Sequence, residues 1–166
     1  TDNAWSWDTS ADAGGTHRAG HVHPQTGDRW IQGATVSGSS KFAHYDAATG
    51  LWENGAYDNT LRYSGNKTAV IDPDNNLFIL VASKYKNVYA IDLNDFVAGT
   101  TKLSDYLVET SGEADILNSS ANIGLAYDQV GKKVVAWDGG MKIYFLDTDT
   151  WEWTSVLASG DNPGDP

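Results

Sequence analysis

The chain has 166 residues, 40% hydrophobic and 20% charged, a mixture ordinary for a folded domain and wrong for bulk disorder. Eleven basic against 22 acidic residues give a net charge of -11 spread along the sequence; such a field repels phosphate backbones and anionic lipid, so neither nucleic acid nor a membrane is expected as a partner. There is no cysteine, which excludes disulfides, thiolate metal sites and a cysteine nucleophile.

No apolar run approaches the roughly 18 residues of a membrane-spanning helix; the longest, such as Leu77 to Ala82, fit a buried strand. Thr1-Asp2-Asn3 carry neither an initiator Met nor a cleavable apolar segment and read as a mature or trimmed end. The compartment stays open, a secreted or periplasmic one included. Seven Trp, eight Tyr and 17 Gly favour sheets with many tight reversals.

In chain order, residues 1–15 hold Trp5-Ser-Trp7 and a small-polar stretch, resembling the sequence around Trp151-Glu-Trp153 near the other end. Residues 16–56 contain the strand-like Gly20-His-Val-His-Pro24, a turn at Gln25-Thr-Gly-Asp28, Trp30-Ile31, and Lys41-Phe-Ala-His-Tyr-Asp46. Residues 57–108 contain Ala69-Val-Ile-Asp-Pro73, Leu77-Phe-Ile-Leu-Val81 and Asn87-Val-Tyr-Ala-Ile-Asp92. Residues 109–160 contain Gly124-Leu-Ala-Tyr-Asp128, Lys133-Val-Val-Ala-Trp137 and Lys142-Ile-Tyr-Phe-Leu-Asp147, and 161–166 read as a linker.

These are three copies of one unit. The runs ending at Asp46, Asp92 and Asp147 align without gaps at intervals of 46 and 55. The first and third continue as Asp46-x-x-Thr49-x-x-Trp52 and Asp147-x-x-Thr150-x-x-Trp153. An Asp three residues before a Thr makes a turn, its carboxylate accepting backbone N-H groups, and the Trp offers an apolar plate to a neighbouring sheet. Each copy thus predicts a four-stranded antiparallel sheet, apolar on both faces, which must be covered on both sides. Only Ala90 to Val97 invites a helical assignment, and the repeat overrides it.

The copies resemble the kelch family of β-propellers. Arg18-Ala-Gly20-His21 is similar to the family's Arg-x-Gly-His opening, Gly139-Gly140 to its double glycine, and the Asp-x-x-Thr-x-x-Trp turns to its hairpins. The double glycine is reduced to Gly33-Ala34 in the first copy and missing from Ile79 to Ser83 in the second. Asp46 to Gly50 also shares wording with quinoprotein propellers. The resemblance implies an all-β propeller fold of four-stranded blades: blade 1 at 16–56, blade 2 at 57–108, blade 3 at 109–160, with 1–15 closing a preceding blade. Closed propellers typically use four to eight blades, so three make either half of a six-bladed ring completed by a second chain or a fragment. The expectation is self-association as a homodimer.

The resemblance further implies that the loops between second and third strands (34–40, 83–86, 138–141) and those linking blades (8–17, 57–67, 109–122) gather at one mouth. Arg18, Lys84 and Lys86 are then candidates to hold an anionic group, Tyr85 and Trp137 to stack on a sugar, and Asp138 is a further ligand-binding candidate. His21 and His23 are expected on one side of a strand, with His17 and His44 as further imidazoles; a structural role outweighs a metal there. No Gly-x-Ser-x-Gly elbow or phosphate loop occurs, and Asp72 to Asn76 lacks the spaced glycine and Glu of a calcium loop. The expected function is a binding module for a protein or glycan, without cofactor. A carbohydrate-active enzyme of oxidase or mutarotase type is the alternative, although the absence of Cys removes the thioether-modified tyrosine of galactose-oxidase-like enzymes.

Overall fold

Short apolar runs punctuated by Asp, Asn and Gly cannot sustain helices and instead fold back repeatedly as hairpins. The computed structural model describes residues 19–36, 39–61, 67–120 and 123–160. The protein is all-β, 52% strand, with no α-helix among the described residues and three antiparallel sheets of four or five strands. The first sheet orders β1 (Ala19–Val22), β2 (Arg29–Val36), β3 (Ser39–Asp46) and β4 (Leu51–Tyr57). The second orders β5 (Lys67–Asp72), β6 (Leu77–Ala82), β7 (Asn87–Asp92) and the two-residue β8 (Leu107–Val108). The third contains β10 (Gly124–Asp128), β11 (Lys133–Trp137), β12 (Lys142–Asp147) and β13 (Glu152–Leu157). A fifth strand, β9 (Ser111–Gly112), lies parallel to β13 at its edge.

One turn recurs at the same end of every sheet. Asp46 Oδ1 accepts the amides of Ala48 and Thr49, Asp72 Oδ1 those of Asp74 and Asn75, and Asp147 Oδ1 those of Asp149 and Thr150. Asp128 accepts the Val130 amide likewise. The fifth residue then returns its own amide to the carbonyl of the first, Gly50 to Asp46 and Trp151 to Asp147. That fifth residue has positive φ, 74° at Gly50 and 58° at Trp151, so the third sheet holds a Trp where glycine suits the backbone better.

Ala90 to Val97 is not helical: β7 runs to Asp92, whose carboxylate accepts the Asn94 amide and starts a 3₁₀ turn, Leu93–Asp95. The connection to β8 then runs along β4. Thr101 O accepts the Ala56 amide, and Gly99 donates to Asn54 O. A Cβ on Gly55 would collide with the Thr101 carbonyl, so only glycine admits this close approach.

The three sheets stack face to face, and the middle one is buried on both faces. Strand alternation sends Ile71, Phe78, Leu80 and Ile91 into one core with Trp30 and Phe42 of the first sheet. Val70, Ile79, Val81 and Val88 enter a second core with Val134, Ala136, Leu146 and Trp153 of the third. The first strands follow in the same order, β1 packing on β5 and β5 on β10. Polar bonds lock the turn ends together: Thr148 Oγ1 donates to Asp72 Oδ2 at 2.7 Å, and Lys132 Nζ meets Asp74 at 2.6 Å.

The two Trp of the repeated turn motif have different surroundings. Trp153 is fully buried between second and third sheets, whereas Trp52, 45% exposed, lies tilted against Tyr45 on the outer face of the first sheet. An apolar plate needs a sheet to cover it, and among the described residues none stands on that side.

Candidate functional site

Strand directions place the connections β6–β7 and β11–β12 at one end of the stack, opposite the Asp turns. The first of these is a 3₁₀ turn, Ser83–Tyr85, closed by Lys86 at φ 57°, whose amide returns to Ser83 O. Ser83 is buried and anchors the turn. Lys84, Tyr85 and Lys86 are exposed, Tyr85 at 47%. The turn rests on a second 3₁₀ segment, Ala114–Asn118, whose Ile116 and Leu117 belong to the core. Two cations and an aromatic ring therefore project from a fixed base in a chain that is otherwise strongly acidic.

Trp137 and Asp138 sit at the same end on the third sheet, tied into their own loop. Trp137 Nε1 donates to Gly140 O at 2.6 Å, and Asp138 Oδ1 accepts the Gly140 amide at 3.2 Å. Lys142, beside that loop, lies 3.4 Å from Asp115. The structure thus brings Lys84, Tyr85 and Lys86 together and puts Trp137 and Asp138 at the same end, with the indole N-H and the carboxylate already engaged locally. Arg18, His17, loop 8–17 and parts of 34–40, 57–67 and 109–122 lie outside the described residues.

His21 and His23 do not form a pair on one side of a strand. β1 ends at Val22, and His23 turns inward, 5% exposed, where its Nδ1 accepts the amides of Gln25 and Thr26 and its Nε2 meets Asn76 Oδ1 at 3.1 Å. His23 therefore holds the β1–β2 turn as Asp72 and Asp128 hold the first turns of the other sheets. His21 is exposed, with Nδ1 near Val22 O. No group of three metal-ligating side chains occurs among the described residues.

The Asp-turn end contains a cleft of about 330 Å³ between first and second sheets, lined by Asp28, Trp30, His44, Glu53, Asn94 and Phe96 among others. The His44 ring stacks on Trp30 with centroids 3.9 Å apart, and Phe96 meets it edge-on. Its nitrogens face Asp28 Oδ2 at 3.5 Å and Glu53 Oε2 at 3.6 Å, and neither makes a hydrogen bond. Burial opposes the charge on Asp28, but the Ala47 amide, the Thr26 hydroxyl and His44 outweigh it and hold the carboxyl below its ordinary value. The sequence offered no signal for this grouping, since its members come from a turn, three strands and the segment after β7.

Compared with known protein families, the chain matches none, and no curated protein matches its sequence.

Proposed function

We propose that this chain is a run of three kelch-like propeller blades that acts as a binding module. It recognises a protein or glycan through the end bearing Lys84, Tyr85, Lys86, Trp137 and Asp138. The observation that carries the reading is the exposed Lys84-Tyr85-Lys86 turn, held rigid on core residues at the end of a stacked sheet array. Rigid scaffolds displaying polar, aromatic loops are suited to recognition. In support of the blade reading, β1, β5 and β10 pack in succession and the middle sheet is covered on both faces. An aromatic face flanked by ammonium groups takes a hydroxyl-rich or anionic surface.

The test is a glycan array and a pull-down with the wild type, Tyr85→Ala and Lys84→Ala/Lys86→Ala. These substitutions lie on exposed side chains and leave the fold intact. The reading predicts a ligand whose binding falls at least tenfold in both variants; binding indifferent to both overturns it.

A second reading, an enzyme acting on carbohydrate, is favoured by one observation, His44 between Asp28 and Glu53 in a cleft. Sugar anomerisation or oxidation abolished by His44→Gln, and untouched by Tyr85→Ala, would select it.

A further inference from the structure

The outer faces of the first and third sheets are related by the repeat itself. Register fixes the equivalences: Asp46, Asp92 and Asp147 correspond, so Tyr45, Ile91 and Leu146 share one face of their sheets, as do His44, Ala90 and Phe145 the other. Ile91 packs toward the first sheet and Leu146 toward the second. Tyr45 therefore stands on the corresponding side of the first sheet, with Ile31 and Trp52. Ala90 belongs to the second core, and its counterpart Phe145 stands on the outer side of the third sheet with Val135, Ile143 and Val156, the last 55% exposed.

Each of the two existing inter-sheet interfaces joins these same two kinds of face. Among the described residues, one face of each kind has no sheet against it, at opposite ends of the stack.

We infer that a second copy of this chain covers both. The Val135, Ile143, Phe145 and Val156 face of one protomer docks on the Ile31, Tyr45 and Trp52 face of the other, and the reverse, closing six sheets into a ring with two equal interfaces. This rests on the blade reading above and names its partner. The proposed contacts continue interfaces already built in the fold. Trp52 occupies the position of Trp153, and in the ring it gains the cover that Trp153 already has.

The equivalence also predicts one contact across the new interface. Asp72 and Thr148 bond between second and third sheets. Their counterparts are Asp128, five residues before the start-of-strand partner Lys133 as Asp72 is before Leu77, and Ala47, the residue after Asp46. Asp128 of one protomer thus lies beside Ala47 of the other.

Because the chain has no cysteine, the pair can be tested directly. Sedimentation or light scattering of the whole chain is expected to give the mass of two copies, and Phe145→Glu half that mass with an unchanged circular dichroism spectrum. Val156→Lys, at an already exposed position, gives the same readout should Phe145→Glu fail to fold. Under mild oxidation the Ala47→Cys/Asp128→Cys double variant forms a covalent dimer while neither single variant does.

A monomer at the highest attainable concentration overturns the inference. So does self-crosslinking of a single-cysteine variant, which means like faces meet, or an open ladder of higher oligomers. A monomer that still binds ligand through Tyr85 defeats the ring and leaves the binding reading standing. A dimer with no Tyr85-dependent ligand does the opposite.

Discussion

Asp72 accepts the Thr148 hydroxyl at 2.7 Å, joining second and third sheets across 76 positions of chain. The Asp72 side chain is fully buried and also takes the amides of Asp74 and Asn75 and the Asn75 side chain. One carboxylate therefore shapes a turn and fastens two sheets. Asp72→Ala leaves the buried Thr148 hydroxyl and the turn amides of Asp74 and Asn75 without their acceptor and is expected to cost about 3 kcal/mol, whereas Thr148→Val removes the bonds of that hydroxyl to Asp72 and from the Asn75 side chain, spares the turn, and costs about 1 kcal/mol. Urea denaturation of both variants measures the difference; equal losses would mean the turn does not depend on Asp72.

Lys67 is 6% exposed, and its Nζ donates to Leu61 O at 3.0 Å. Burial lowers its ammonium from the ordinary 10.5 to about 8. Below pH 8 both folded and unfolded chains hold the proton, and the folded state carries the full cost of a buried charge. Between 8 and 10.5 the folded state releases its proton first, so the cost fades as pH rises. Lys67→Met keeps the apolar stem and is expected to be more stable than wild type by about 2 kcal/mol at pH 7, after allowing for the lost bond to Leu61 O. That advantage is expected to disappear by about pH 10. Paired denaturant titrations at the two pH values decide it, a constant difference being the contrary result.

Trp153→Ala opens a cavity between two sheets and is expected to cost about 3–5 kcal/mol. Trp52→Ala is expected to change the stability of an isolated protomer by about 1 kcal/mol or less, because that ring is half in solvent. Thermal unfolding at low protein concentration separates the two, and a large loss at Trp52 under those conditions would contradict its exposed position.

His23→Asp preserves an acceptor for the turn amides of Gln25 and Thr26 but loses the bond to Asn76, while His23→Ala loses both. The Asp variant is accordingly expected to unfold at a temperature between wild type and the Ala variant. An Asp variant no better than Ala would show that His23 acts by packing alone.

These particulars mark how far the sequence could be read. Lys41 to Asp46, Asn87 to Asp92 and Lys142 to Asp147 lie in β3, β7 and β12, because alternating apolar and aromatic residues ending in an Asp turn admit little else. β8 and β9 were not legible: two residues each carry no periodicity, and their pairing uses backbone alone. His23 departs from the expected pairing with His21 because β1 stops at Val22 and an imidazole nitrogen can cap a turn as a carboxylate does. The loop carrying Lys84, Tyr85 and Lys86 was expected only through the resemblance, which sets a connection between the second and third strands of each copy. The Asp28, His44 and Glu53 cleft was not expected, since only the fold brings those positions together.

The close approach of Thr101 to Gly55 and the short parallel strand β9 have a common consequence for solubility. Each engages hydrogen-bonding groups along the outermost strand of an end sheet, β4 in one case and β13 in the other. Strand edges with free amides and carbonyls invite foreign strands and fibril growth. With those edges partly sealed by its own backbone, this chain is steered away from amyloid-like addition, and contact between molecules is directed to side-chain surfaces, where shape can select the partner.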